Sequence, residues 1–232
     1  MNWLQLAQRL SIECGVPGPG PTSVTGQTGM NLKLVNWVAA AWNDIQGMYD
    51  GWGWMRQQFA FDTVANTGDY LPVQTVNTLT GNQLTDLRFW WKDTFRCQKK
   101  SLGVSDMQWL VEWGYHTFRN TYRFNVQVPG RPVVFAQNPQ GKAVMLGQIP
   151  DGIYEITGEY QQYPQPFVNG TDEPGIPNDA LHLVIVYKAM QYYGLYESAP
   201  EVLMRGNTEF TRLMNQLEAE QLQELTLGNP LA

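Results

Sequence analysis

The chain has 232 residues, 43% hydrophobic and 12% aromatic. That is enough to bury a core, either as one domain with an insertion or as two small domains. Only 16% of residues are charged, against roughly 25% in ordinary soluble domains. The net charge is −6 and the pI about 4.9, which argues against a grip on nucleic-acid phosphates.

Residues 2–14 read as a helix with the apolar row Trp3, Leu6, Ala7, Leu10 and Cys14. A Pro- and Gly-rich loop from Gly15 to Gly26 then excludes helix and central strand. Gly18 and Gly20 form no dinucleotide loop, because Ser23 stands where the third glycine belongs and no strand precedes them. A second helix is expected over 30–46, with Leu34, Trp37, Val38, Ala41, Ile45 and Met48 recurring at helical spacing and Val35 and Trp42 widening the face. Tyr49, Trp52 and Trp54 then cluster between glycines. They read as a corner plugging one end of a bundle, with a sugar-binding platform as the sharper alternative.

From Met55 to Phe167 short runs alternate with period two between Gly, Pro and Asn. Phe59, Phe61 and Thr63 share one face. Leu87, Phe89 and Trp91 oppose Arg88, Trp90 and Lys92. Tyr154, Ile156 and Tyr160 oppose Glu155, Thr157 and Glu159. Asn138-Pro139-Gln140-Gly141 suits a hairpin turn between Val133–Phe135 and Val144–Leu146. Within this stretch Ser105–Gln108 reads as the cap of a short helix running to Phe118.

Residues 178–197 form the helix around which the chain is organised. Two apolar rows, Leu181/Ile185/Ala189/Tyr192/Tyr196 and Leu183/Val186/Tyr187/Met190/Tyr193, make it apolar nearly all round and therefore central. Its partner over 200–224 carries one stripe, Leu203, Phe210, Leu213, Met214 and Leu217, with Ser198 and Glu201 placed as a capping box. The tail after it, with Gly228 and Pro230, cannot stay helical. The expected fold is thus α+β: an antiparallel helical bundle built from N- and C-terminal helices (1–55 and 168–232) with a β-rich insertion (56–167).

Little in the sequence carries chemistry. Cys14 and Cys97 form no CxxC pair, and Cys14 reads as a buried free thiol. His116 and His182 belong to no metal-binding pattern, and His182 reads as a packed core histidine. No serine-hydrolase elbow or phosphate loop occurs. Glu155 and Glu159 could form a glycosidase-like pair, but two outward-facing solvated glutamates on one strand face explain the pattern more cheaply. No catalytic, cofactor or metal residue is therefore assigned. The start, Met1-Asn2-Trp3-Leu4-Gln5, lacks the basic and apolar regions of a secretion signal, which leads to the expectation of a cytoplasmic site of assembly.

The chain resembles the head-to-tail adaptor (neck) proteins of tailed bacteriophages. The match runs through Leu6-Ala7-Gln8-Arg9-Leu10, Glu13, Gly15-Val16, the Gly/Pro/Thr loop and Thr25-Gly26-Gln27-Thr28-Gly29. It continues through Leu34-Val35-x-Trp37-Val38, Ala41-Trp42-x-Asp44-Ile45-Gln46 and Trp52-x-Trp54-Met55-Arg56. At the end it takes in His182-x-x-Ile185-Val186-Tyr187-x-Ala189-Met190 and Tyr193-Gly194-x-Tyr196-Glu197. The resemblance implies a virion neck protein, non-enzymatic and without cofactor. It implies a dodecameric ring under the portal that continues the DNA channel and carries tail or nozzle proteins. It also points to the C-terminal segment as the part that grips the portal, where Leu225, Leu227, Pro230 and Leu231 would be the contacts. The alternatives are a virion glycan or peptidoglycan hydrolase and another tail or minor capsid structural protein.

Overall fold

In the computed structural model, which describes residues 1–124 and 127–222, the protein is α+β. Five α-helices and two sheets stand among the described residues. By contact the chain divides into two compact units: Met1–Met55 with the chain from Pro164 onward, and Arg56–Tyr163.

The first unit holds α1 (Trp3–Glu13), α2 (Gly29–Met48), α4 (Leu183–Tyr196) and α5 (Pro200–Gln221). Asn2 caps α1 with a full capping box to Gln5, and Leu6, Ala7 and Leu10 are completely buried. On α4, Val184, Ile185, Val186, Ala189 and Met190 all have zero exposure, so this helix is covered on several sides, as its two apolar rows predict. The first row runs out at the C-terminal turn, where Tyr196 faces solvent. α2 runs antiparallel to α4. Trp37 packs its ring on Tyr193 and Tyr196, while Asp44 accepts from the Tyr192 hydroxyl. α5 returns alongside α4 at a close approach, since a Cβ on Gly194 would stand 2.9 Å from the Leu203 backbone.

Ser198 does not cap α5. It sits in the left-handed region (φ 53°), and Ala199 N–H donates back to Gly194 O at 2.9 Å. Its backbone is thereby used to close α4 as a Schellman-type terminus. Ala199 is the cap of α5 and makes no side-chain hydrogen bond.

The second unit is a β-sandwich with one helix. The first sheet has the order β3-β1-β9-β4-β5: β3 (Val76–Asn77), β1 (Arg56–Asp62), β9 (Tyr154–Gln162), β4 (Leu87–Lys99) and β5 (Gln108–Trp109). The second has the order β2-β8-β7-β6: β2 (Asp69–Tyr70), β8 (Val144–Gly147), β7 (Val134–Gln137) and β6 (Val111–Glu112). Phe59, Phe61, Phe95, Ile156 and Tyr160 from the first sheet meet Tyr70, Phe135, Val144 and Leu146 from the second. Phe95 stacks on Phe135 at 4.1 Å between ring centres. The other face of the second sheet is covered by α3 (Tyr115–Tyr122) through Phe118 against Val134, Ala136 and Met145.

The expected hairpin joins β7 to β8, with Asn138 N–H donating to Ala143 O at 2.9 Å. Two expectations in this unit are corrected. The simple alternation expected of β4 does not hold: Leu87 and Trp90, set on opposite faces, are both buried, while Phe89 and Trp91 are only partly so. Register shifts between Leu87 and Phe89, and again between Trp91 and Arg96, swing successive side chains to the opposite face. The short helix does not start at Ser105. Residues 108–112 extend instead to pair Trp109 with Arg96 and Val111 with Val134, with Leu110 buried between, and the helix begins only at Tyr115. Sheet pairing outweighs the local capping signal.

Candidate functional site

The predicted contact residues Leu225, Leu227, Pro230 and Leu231 lie outside the described residues. The structure places their root. α5 ends at Gln221, whose carbonyl oxygen would stand 3.2 Å from a Cβ built on Gly53, and Leu222 packs against the helical core. The last described residues, Gln221 and Leu222, thus lie beside the Tyr49–Trp54 corner.

That corner is one end of a row of rings. Trp3 stacks on Phe167, Phe167 on Trp42, Trp42 on Trp54 and Trp54 on Trp52, and Tyr49 meets Trp52 edge-on, with centres 4.4–6.3 Å apart. Each such pair contributes about 0.5–1.5 kcal/mol beyond burial. The polar edges are tied as well. Trp42 Nε1 donates to Gln165 O at 2.8 Å and Trp52 Nε1 to Ile45 O at 3.0 Å. Trp52 is wholly buried and Trp42 nearly so, which makes the centre of the row structural filling, while Tyr49 is 39% exposed.

The helical unit also carries several carboxylates that sequence reading passed over. Glu218 accepts from the Tyr49 hydroxyl at 3.0 Å, and Glu220 accepts from Asn178 Nδ2 at 3.2 Å. Asp172 takes the N–H groups of Val168 and Asn169, which hold its carboxyl below the usual range. Asp50, Glu173 and Asp179 are exposed nearby along the chain. The signal was in the counts by segment. Residues 1–55 and 164–232 hold 5 Lys or Arg against 12 Asp or Glu, whereas residues 56–163 hold 10 against 9. The acidity of the whole chain thus resides in the helical unit.

The remaining chemical candidates are occupied by structural bonds. His182 is buried, with Nε2 2.9 Å from Ile176 O and Nδ1 2.8 Å from the Met1 nitrogen. Glu159 pairs with Arg56, and Glu155 accepts from Gln98, and the two line separate recesses. Cys14 and Cys97 are free and buried, and burial pushes their thiols up to about 12 and about 11. Among the described residues no group of three or more His, Cys, Asp or Glu could hold a metal ion, and no helix is long and apolar enough to cross a membrane.

The family model for the SU10 adaptor protein matches residues 1–232. The chain belongs to the SU10 adaptor protein family. Membership makes it a structural adaptor of bacteriophage type and a virion component. Comparison with curated proteins finds no match. The chain's buried polar and aromatic side chains are largely held by internal bonds, and α5 ends beside the Tyr49–Trp54 corner.

Proposed function

We propose that the protein is a head-to-tail adaptor. Copies form a ring, twelvefold by the family resemblance, below the portal; the ring continues the DNA channel and carries tail or nozzle proteins. The observation that carries this reading is the match of the family model to the whole chain. In this reading the N- and C-terminal helices (1–55 and 168–232) form the antiparallel bundle from which the tail extends, and residues 56–167 are its β-rich insertion. The protein acts in the virion neck after assembly in the host cytoplasm. It catalyses nothing, and it needs neither metal nor cofactor.

The charge distribution supports a channel role. A segment with 12 carboxylates and 5 cations repels passing phosphates, so DNA moves through without being held. The tail is assigned the portal contact. Leu225, Leu227 and Leu231 with Pro230 place four apolar groups within seven residues and without a charge among them. Burying three leucines contributes several kcal/mol per copy, on the order of 1.5–3 kcal/mol each before ordering costs. Repetition around a ring multiplies this into firm attachment.

The test is a chain lacking residues 225–232. It should melt at the same temperature as the full chain and fail to co-purify with the portal. Undiminished portal binding by the truncated chain would remove the tail from the contact.

A further inference from the structure

The two ends of the β-sandwich differ in shape. At one end the turn after β4 projects Leu102 and Val104, which are 58% and 74% exposed. Ile153 and Val64 join them there: Lys100 N–H donates to Ile153 O, and Thr63 N–H to Tyr154 O. At the other end lies a recess of about 530 Å³, with Leu71, Val73, Leu84 and Leu87 among its walls and Lys142 at its edge. Leu87 opens β4 and Lys99 closes it. Leu87 pairs with Gln162 and Lys99 with Tyr154, so the eight residue steps of β9 between these partners set the projection and the recess about 26 Å apart.

We propose that these ends are two halves of one contact, in which Leu102 and Val104 of one copy seat in the Leu71–Leu87 recess of the next. The inference rests on the ring proposed above and names its subunit interface within the β unit. The occupant is a second copy because both halves belong to this chain and suit each other. Residues 101–105 carry no charge, so inserting the turn strips no ion of water. The Lys142 ammonium at the recess already donates to Leu87 O, Arg88 O and the Tyr163 hydroxyl, so it needs no counter-ion from the incoming turn. A contact between opposite ends of successive copies is heterologous and propagates from copy to copy.

The size of the contact sets when it forms. Four aliphatic side chains and the walls of one recess bury roughly a few hundred Å², against about 1,200–2,000 Å² in a stable pair. Two free copies therefore do not hold together by it. Copies already held side by side on a common base do, because the local concentration is then high.

The experiment cross-links full-length chains with a short bismaleimide in the presence of purified portal, with imaging of the same samples. The chain carrying both Leu102→Cys and Val73→Cys should give a ladder of trimers and larger products, roughly tenfold or more above either single variant. An equimolar mixture of the two single variants should stop at dimers. Val104→Cys with Leu71→Cys serves as a second pair, and all four sites are exposed at the surface. The native thiols stay silent because both are buried. Single variants that cross-link as well as the double, or a ladder that ends at dimers, would overturn the proposal. Rings seen on the portal without any ladder would refute this interface while the ring reading stands. Neither rings nor ladder would refute both.

Discussion

At the scale of single residues, the account turns on groups that have nowhere else to go. Ile185 lies at zero exposure in the middle of α4. An aspartate there would bury a carboxyl without a partner and remove the Ile185 packing, together costing several kcal/mol out of the margin of about 5–15 kcal/mol that holds a domain folded. Ile185→Asp should give insoluble protein without a cooperative melt, and a soluble variant with a normal melting curve would misplace this helix. The buried thiols make a second prediction. Their folded values, about 12 for Cys14 and about 11 for Cys97, stand above the ordinary 9.0 because burial disfavours the thiolate. A raised value means the folded state keeps its proton longer than the unfolded one. The stabilisation is therefore complete below about pH 9 and is lost as pH rises through 11 and 12. The urea midpoint should stay level up to pH 9 and fall beyond it, with a shallower fall in the chain carrying Cys14→Ala and Cys97→Ala. Both the burial of Ile185 and that of Cys14 could be read from helical rows in the sequence, because a 3.6-residue period fixes which side chains share a face. The partners of Cys97, Arg131 and Asp106, could not, since they arrive from distant strands and turns.

At the scale of elements, helices were more legible than strands. α1, α2, α4 and α5 fall within a few residues of their predicted spans, because long amphipathic periods outlast single irregularities. β4 was legible as a strand but not in phase, since no residue type announces a bulge and each one inverts the faces that follow. Residues 105–114 misled for a related reason. A sound local cap loses to pairing with Arg96 and Val134, which only the assembled sheets supply. Ser198 was misassigned because one residue can close a helix or open the next, and its φ is not written in its side chain. The ring row at the Tyr49–Trp54 corner was legible as a cluster, but its continuation through Phe167 to Trp3 was not. Trp52 is its fully buried member, with its indole N–H satisfied by Ile45 O. Trp52→Ala should destabilise the protein by about 3–5 kcal/mol, read as a lowered urea midpoint. A change under about 1 kcal/mol would mean that the corner packs loosely.

At the scale of the whole molecule, the sequence carried more about assembly than about chemistry. The motifs of the N- and C-terminal helices carried the adaptor resemblance, and the family match extends over residues 1–232. The docking residues themselves were less legible. Apolar residues such as Leu102 and Val104 look alike on paper whether they fill a core or stand exposed in a turn, and only the fold separates the two cases. The division of charge between the two segments was available from counting, but it acquires meaning only once the segments are known to be separate compact units. The central claim is that copies of this chain assemble on a portal. The most direct measurement is the mass and image of the purified chain mixed with its portal. A ring of the chain's copies, stacked below the portal with a continuous central channel, is the predicted result. Chain and portal migrating separately, with no multimer of the chain on any portal particle, would contradict it.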